Sequence, residues 1–219
     1  MEIKILNTGS KGNCTLLKSD DGNALMLDCG IKYEEIVKNL GFVNINAILV
    51  THFHSDHCLS LDKLKKFRFK IYSPENIDSG QKIIINDWII IPMKLVHNVE
   101  CFGFLIYNKK ENKKVAYITD TTYIPKMEPI DCLIIDCNYD KNLVEEKISK
   151  GGFVNWGHKN HLSIQQVEEY VKNLNYKLPN LVAYHLSSSG LNTPEKTYSL
   201  LKDKAQNVFI GKKDLSFNF

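Results

Sequence analysis

Apolar residues come in short bursts along this chain, with polar or turn-forming residues between them. Residues 2–7 alternate polar and apolar and then meet Thr8-Gly9-Ser10-Lys11-Gly12-Asn13, the pattern of a strand running into a loop. Strands are predicted at 13–18 and 24–28, and the Asp21-Gly22 pair between them favours a tight hairpin. Residues 32–40 suit a helix closed by Gly41. The run Asn46-Ala47-Ile48-Leu49-Val50 predicts a buried strand over 46–51, followed by a short helix over 60–67. Further strands are predicted near 69–72, 82–85, 88–93, 101–107, 114–119 and 131–136. Helices near 140–148 and 163–174, a strand at 180–184, a helix from about 195 to 203 and a last strand near 206–210 complete the reading.

This order is neither a clean βαβ alternation nor all-β. It fits an α+β sandwich of two mixed sheets with helices on the outer faces. The 219 residues suit one domain spanning 1–219, and an apolar fraction of 43% is enough for its core. Twenty-eight basic and 25 acidic residues leave a net charge of +3, too small an excess to indicate a nucleic-acid partner by itself. Six cysteines are scattered without a CxxC pair, several inside apolar runs, as expected of buried free thiols in a reducing compartment. No apolar run approaches a membrane span, and Met1-Glu2-Ile3-Lys4-Ile5 lacks the signal-peptide pattern. The expectation is a cytoplasmic protein without membrane contact.

The candidate chemistry sits at the ends of the predicted strands. Thr51-His52-Phe53-His54-Ser55-Asp56-His57 packs three imidazoles and a carboxylate behind the strand at 46–51. His97, Asp120 and His185 each follow another apolar run. Ligands distant in sequence but placed at neighbouring strand ends can converge on one centre. Imidazole and carboxylate donors suit zinc, manganese, iron or nickel better than magnesium or calcium. A single histidine after a strand is ordinarily structural; the crowded run at 52–57 is what calls for a metal. Asp28 and Asp136 also end apolar strands, where orientation of a metal histidine and simple turn formation are both open.

The run at 51–57 matches the HxHxDH signature of the metallo-β-lactamase-fold hydrolases. The resemblance extends through Gly9-Ser10-Lys11-Gly12-Asn13-Cys14, Leu27-Asp28-Cys29-Gly30, Thr119-Asp120-Thr121, His161-Leu162-Ser163 and His185-Leu186-Ser187. It implies the four-layer αββα form of the sandwich and two divalent ions, zinc or manganese. His52, His54 and His97 resemble ligands of the first ion, and Asp56, His57 and His185 those of the second. Asp120 matches the bridging carboxylate. The resemblance further implies hydrolysis by a water activated between the ions, with Asp56 able to hold its proton as well as a metal. The opening Gly-Ser-x-Gly-Asn and the His-Leu-Ser are most similar to the YycJ/WalJ branch, regarded as DNA exonucleases.

His161 precedes Ser163, which with Gln166 has the spacing of a capping box opening a helix at Ile164. In related nucleases such a histidine acts near the leaving oxygen, which needs a proton as the P–O bond breaks; the alternative is a histidine that only orders its loop. His158 suits a surface role as readily as a site role. Ser10 and Asn13 have the loop chemistry to touch a phosphate, and so has Ser187, while a simple tight turn reads the N-terminal loop equally well. Ser188, Ser189 and Asn192 either line a channel or cap the helix near 195. Lysines at 63, 65, 66 and 70 with Arg68, and at 109, 110, 113 and 114, form two clusters able to meet a phosphate backbone, or simply solvated faces.

Together the site residues and the resemblance favour a metal-dependent phosphodiester hydrolase acting on nucleic acid, a DNA exonuclease; the preference for DNA over RNA is implied by the resemblance alone. Only 65 residues separate Asp120 from His185, which leaves no room for a large inserted RNA-processing domain. Two other classes remain open. One is a small-molecule hydrolase, such as a lactonase or cyclic nucleotide phosphodiesterase. The other is a metal-binding interaction protein without catalysis.

Overall fold

The computed structural model describes residues 1–154 and 156–219. The first sheet begins with β1 (Glu2–Asn7), β2 (Cys14–Lys18), β3 (Asn23–Leu27), β4 (Asn44–Leu49) and β5 (Ile71–Tyr72). The second holds β6 (Ile83–Ile85), β7 (Trp88–Lys94), β8 (Phe102–Asn108), β9 (Lys113–Ile118), β10 (Cys132–Asp136), β11 (Asn180–Tyr184) and β12 (Asn207–Ile210). The last strand, β13 (Leu215–Asn218), returns to the first sheet, giving orders β13-β1-β2-β3-β4-β5 and β12-β11-β10-β9-β8-β7-β6. Both sheets are mixed: β3, β4 and β5 run parallel, as do β9, β10, β11 and β12, and the remaining pairs are antiparallel.

The helices are α1 (Tyr33–Leu40), α2 (Ser55–Cys58), α3 (Leu61–Lys65), α4 (Lys141–Ser149), α5 (Ile164–Lys172) and α6 (Pro194–Leu201). Alternating side chains explain the layers. Leu25, Leu27, Ala47 and Leu49 point inward to meet Val115, Tyr117, Ile134, Val182 and Tyr184 between the sheets. Met26 and Ile48 point outward to Ile36 of α1 and Leu61 and Leu64 of α3. On the other side, Ala116, Leu133, Ile135 and Leu181 pack with Ile164, Val167 and Val171 of α5 and Leu201 of α6. Central strands are therefore apolar on both faces, and the result is a four-layer αββα sandwich. Each fully buried aliphatic side chain contributes about 1.5–3 kcal/mol.

Local signals match the elements they predict. The β2–β3 hairpin turns through Gly22 at φ 82°, and α1 ends at Gly41 at φ 54°, where a side chain would be strained. Ser163 and Gln166 form the capping box of α5. All six cysteines are free, and all but the half-buried Cys58 are buried. Among the described residues no helix is long and apolar enough to cross a membrane.

This topology aims chemistry at one edge. β1 and β3 run together in the first sheet; β7, β9, β10 and β11 run together in the second. The residues that follow their C-terminal ends supply the site.

Candidate metal centre

Three site residues turn sharply as soon as their strands stop. Asp28, Asp120 and His185 all have left-handed backbones, with φ of 57°, 53° and 53°. Such strain in non-glycine residues persists where surrounding contacts hold it. Here the His185 N–H donates to Thr8 Oγ1 at 3.0 Å, and the Asp28 N–H donates to Leu49 O at 2.8 Å. The histidine run follows β4. His54 leads into α2, so His57 lies in a short helix and not in an open loop. Gly30 makes this possible: a Cβ there would stand 1.7 Å from the backbone oxygen of Asp56.

The ring nitrogens converge. His52 Nε2 lies 3.0 Å from His54 Nδ1, which lies 3.2 Å from His97 Nε2. Asp120 Oδ2 stands 3.9 Å from both His52 Nε2 and His97 Nε2. Around a second point, His57 Nε2 lies 3.3 Å from Asp120 Oδ1 and 3.6 Å from Asp56 Oδ2. His185 Nε2 lies 3.4 Å from Asp56 Oδ2 and 3.6 Å from Asp120 Oδ1. Tetrahedral zinc with bonds of about 2.0–2.1 Å needs donors about 3.3 Å apart. The two clusters have that spacing, and Asp120 offers one oxygen to each. Two His/Asp clusters able to chelate divalent ions of the zinc or manganese type are thus present. Ser55 and Phe53 face elsewhere in this run: Phe53 is exposed.

The electrostatics suit cations. Burial alone would raise the Asp120 carboxyl, yet the facing His185 and His57 hold it well below the usual range. Burial opposes a charge on His57, but Asp120 and Asp28 outweigh it and raise its pKa. Burial likewise opposes a charge on His185, and Asp120 and Asp56 overcome it. His52 is pushed down to about 2, first by burial and then by His57. The carboxylates thus favour a proton on His57 and on His185, and a metal at either ring competes with it, so affinity rises with pH.

The supporting residues separate two roles that sequence left open. Asp28 is fully buried and accepts from His57 Nδ1 at 2.8 Å, Tyr117 Oη at 2.9 Å and the Thr51 N–H at 2.8 Å. It fixes the tautomer that turns Nε2 to the second cluster. Asp28→Asn is expected to weaken metal binding by about 10–100-fold with the fold intact; a chelator-competition titration matching the unsubstituted protein would dismiss this role. Asp136 instead serves His161, accepting from Nδ1 at 2.8 Å. His161 Nε2 then points toward Asp120 Oδ2, 4.0 Å away, and its ring stacks on His185 at a centroid distance of 5.0 Å. Burial lowers its pKa, but Asp136 and Asp120 prevail and raise it to about 9. The grouping of Asp136, His161 and His185 shares His185 with the second cluster.

Ser10, Ser187, Ser188, Ser189, Asn138 and His158 line a cavity of about 220 Å³ beside His161 and His185. Asn13 does not reach it. Its side chain is fully buried: Oδ1 accepts from the Gly9 N–H at 2.9 Å, and Nδ2 lies 2.9 Å from His57 Nε2 and 3.2 Å from Asp56 O. It shapes the loop under the centre, as the tight-turn reading has it, and a metal on His57 would replace the contact with Nδ2. Asn192 donates to Cys137 O and accepts from Thr197, while Thr193 caps α6. Lys109, Lys110, Lys113 and Lys114 lie at the other end of β9 from Asp120, in ion pairs with Asp87, Asp21, Asp131 and Glu128. That lysine cluster is not at the centre. Sequence reading missed Tyr117, Cys101, whose Sγ lies 3.7 Å from His52 Nδ1, and Asn138, which contacts His185 Nδ1 at 3.2 Å. None of these residues carries a local signal.

The family model of the metallo-β-lactamase superfamily matches residues 7–77. The crystal structure of YhfI from Bacillus subtilis, a metallo-β-lactamase fold protein, superposes with a TM-score of 0.76 over 99% of both chains at 18% identity. The chain has the metallo-β-lactamase fold, and its N-terminal third matches the superfamily model. With both clusters in place on this fold it is a metal-dependent hydrolase. The exodeoxyribonuclease WalJ of Streptococcus pneumoniae is 26% identical over 250 aligned positions, covering 96% of this chain and 90% of the relative. A ribonuclease Z from Lachnoclostridium phytofermentans is 22% identical and covers 48% of this metallo-β-lactamase-fold chain and 46% of its own.

Proposed function

We propose that this chain hydrolyses phosphodiester bonds in nucleic acid and acts as a DNA exonuclease. The observation that carries the reading is His161. It stands beside both clusters, held by Asp136 through Nδ1 with Nε2 toward Asp120. A proton donor there suits the departing alkoxide of a phosphodiester. His52, His54, His97 and Asp120 would hold one ion, and Asp56, His57, His185 and Asp120 the other. The ions, when bound, polarise the attacked group and lower the pKa of water. Asp56 has a second oxygen to accept a proton from the attacking water. Ser10 and Ser187 offer hydroxyls to phosphate oxygens beside His161. DNA is preferred to RNA because the exodeoxyribonuclease relative matches nearly end to end, whereas the ribonuclease relative matches about half of the chain.

A substrate panel tests the class. The zinc- or manganese-loaded protein is given linear DNA, matched RNA, a cyclic nucleotide and a lactone, each with and without chelator. Chelator-sensitive hydrolysis of DNA above the others is expected. Turnover of the lactone or cyclic nucleotide alone would transfer the site to small molecules.

A further inference from the structure

A groove runs between residues 121–130 and α5, near the candidate metal centre. It consists of two adjoining hollows of about 360 and 500 Å³ that share Tyr123, Ile124, Tyr170 and Asn173. Both walls start at the site: one follows Asp120 and the other follows His161. One hollow is lined by Thr122 and by Leu162, the chain neighbour of His161, and the Thr121 N–H donates to Asp136 Oδ2 at 3.4 Å, so this end of the groove lies next to the site.

The walls are preset. The Val96 N–H donates to Thr121 Oγ1 at 3.2 Å, and the Thr122 N–H donates to Val96 O at 3.0 Å. Thr121 Oγ1 in turn donates to Tyr123 O at 3.0 Å. Pro125 and Pro129 restrict the segment further, and the capping box fixes the first turn of α5. Tyr123 is 55% exposed. One exposed tyrosine alone is unremarkable on a protein surface. This one lines both hollows, next to Tyr170, on a segment three residues from Asp120.

The lining chemistry selects the occupant. Tyrosines, amides and aliphatic side chains line it, with Lys126 and Glu169 contributing opposite charges. That surface suits neutral, flat groups better than a row of phosphates. Aromatic side chains accept any base by stacking. Resting on the nucleic-acid reading above, we propose that the groove carries unpaired nucleobases of the substrate strand beyond the scissile bond, with Tyr123 as a stacking face.

The test compares Tyr123→Ala and Tyr123→Phe with the unsubstituted protein, all metal-loaded. Substrates are single-stranded DNA, the same strand with abasic sites beyond the terminal nucleotide, and bis(p-nitrophenyl) phosphate. Tyr123→Ala is expected to raise KM for intact DNA by about 5- to 150-fold. Its kcat, and its rate on the small diester, should stay unchanged, and Tyr123→Phe should behave as unsubstituted. Abasic sites should raise KM for the unsubstituted protein with little further effect in Tyr123→Ala. Unchanged KM for intact DNA in Tyr123→Ala overturns the stacking role while leaving the nuclease standing. Hydrolysis of the small diester with no cleavage of DNA by any of the three proteins overturns the nucleic-acid reading and this inference with it.

Discussion

Asp120→Ala is expected to strip metal from both clusters and to abolish hydrolysis in the same step. The carboxylate is buried, and its two oxygens face different histidine groups: Oδ2 toward His52 and His97, Oδ1 toward His57 and His185. Among the described residues no other side chain belongs to both clusters. Without it the first cluster keeps three imidazoles and no anion, and the second keeps two imidazoles and the single carboxylate of Asp56. Both then lose charge that favours a dication. Metal per chain, measured by elemental analysis after dialysis, should fall from about two to well below one while far-ultraviolet circular dichroism persists. Full metal content with lost turnover would remove the bridging role and leave Asp120 with a different task.

His161→Ala should do the opposite to metal. The ring lies over the centre but is held by Asp136, so both ions should remain. Hydrolysis should slow by about 10²–10⁴-fold, the usual worth of a positioned proton donor. The pH profile separates this from a packing defect. A donor must be protonated, so its contribution is present at low pH and lost as pH rises through its pKa. That pKa is raised to about 9 with no cation beside it, and two bound dications would lower it. The unsubstituted protein should therefore lose activity on an alkaline limb below about pH 9. His161→Ala should lack that limb. Asp136→Asn should fall between the two, since it leaves the imidazole in place without its anchor. Near-normal turnover in His161→Ala would make the residue a loop-ordering histidine.

Much of the centre was legible because ligand residues sit in crowded or strand-terminal positions. His52, His54, Asp56 and His57 announce themselves within six residues, and Asp120 and His185 each close an apolar run. The layered sandwich followed from the order of short strands and helices, and strands apolar on both faces, such as Leu25-Met26-Leu27, join its layers. What escaped was set by tertiary context. β13 reads as Leu-Ser-Phe-Asn behind two lysines, and only its pairing with β1 makes it a strand. Four-residue α2 is too short for periodicity and is held by its surroundings, with Gly30 against Asp56. Asn13 looked like a loop amide open to a ligand, whereas its burial beside His57 depends on strands far away in sequence. The lysines at 109–114 resembled a basic patch until β9 placed them a strand's length from Asp120, about 20 Å at ~3.3 Å per residue. Residues 121–130 have no repeating pattern, so the groove they build with α5 could not be read in advance.

Time-resolved cleavage of end-labelled single- and double-stranded DNA tests the account most directly. The metal-loaded protein is run beside Asp120→Ala, with label at either end in separate reactions. The account predicts stepwise, metal-dependent loss of nucleotides from one end, absent in Asp120→Ala. No cleavage of any strand by a protein shown to hold two ions would contradict it.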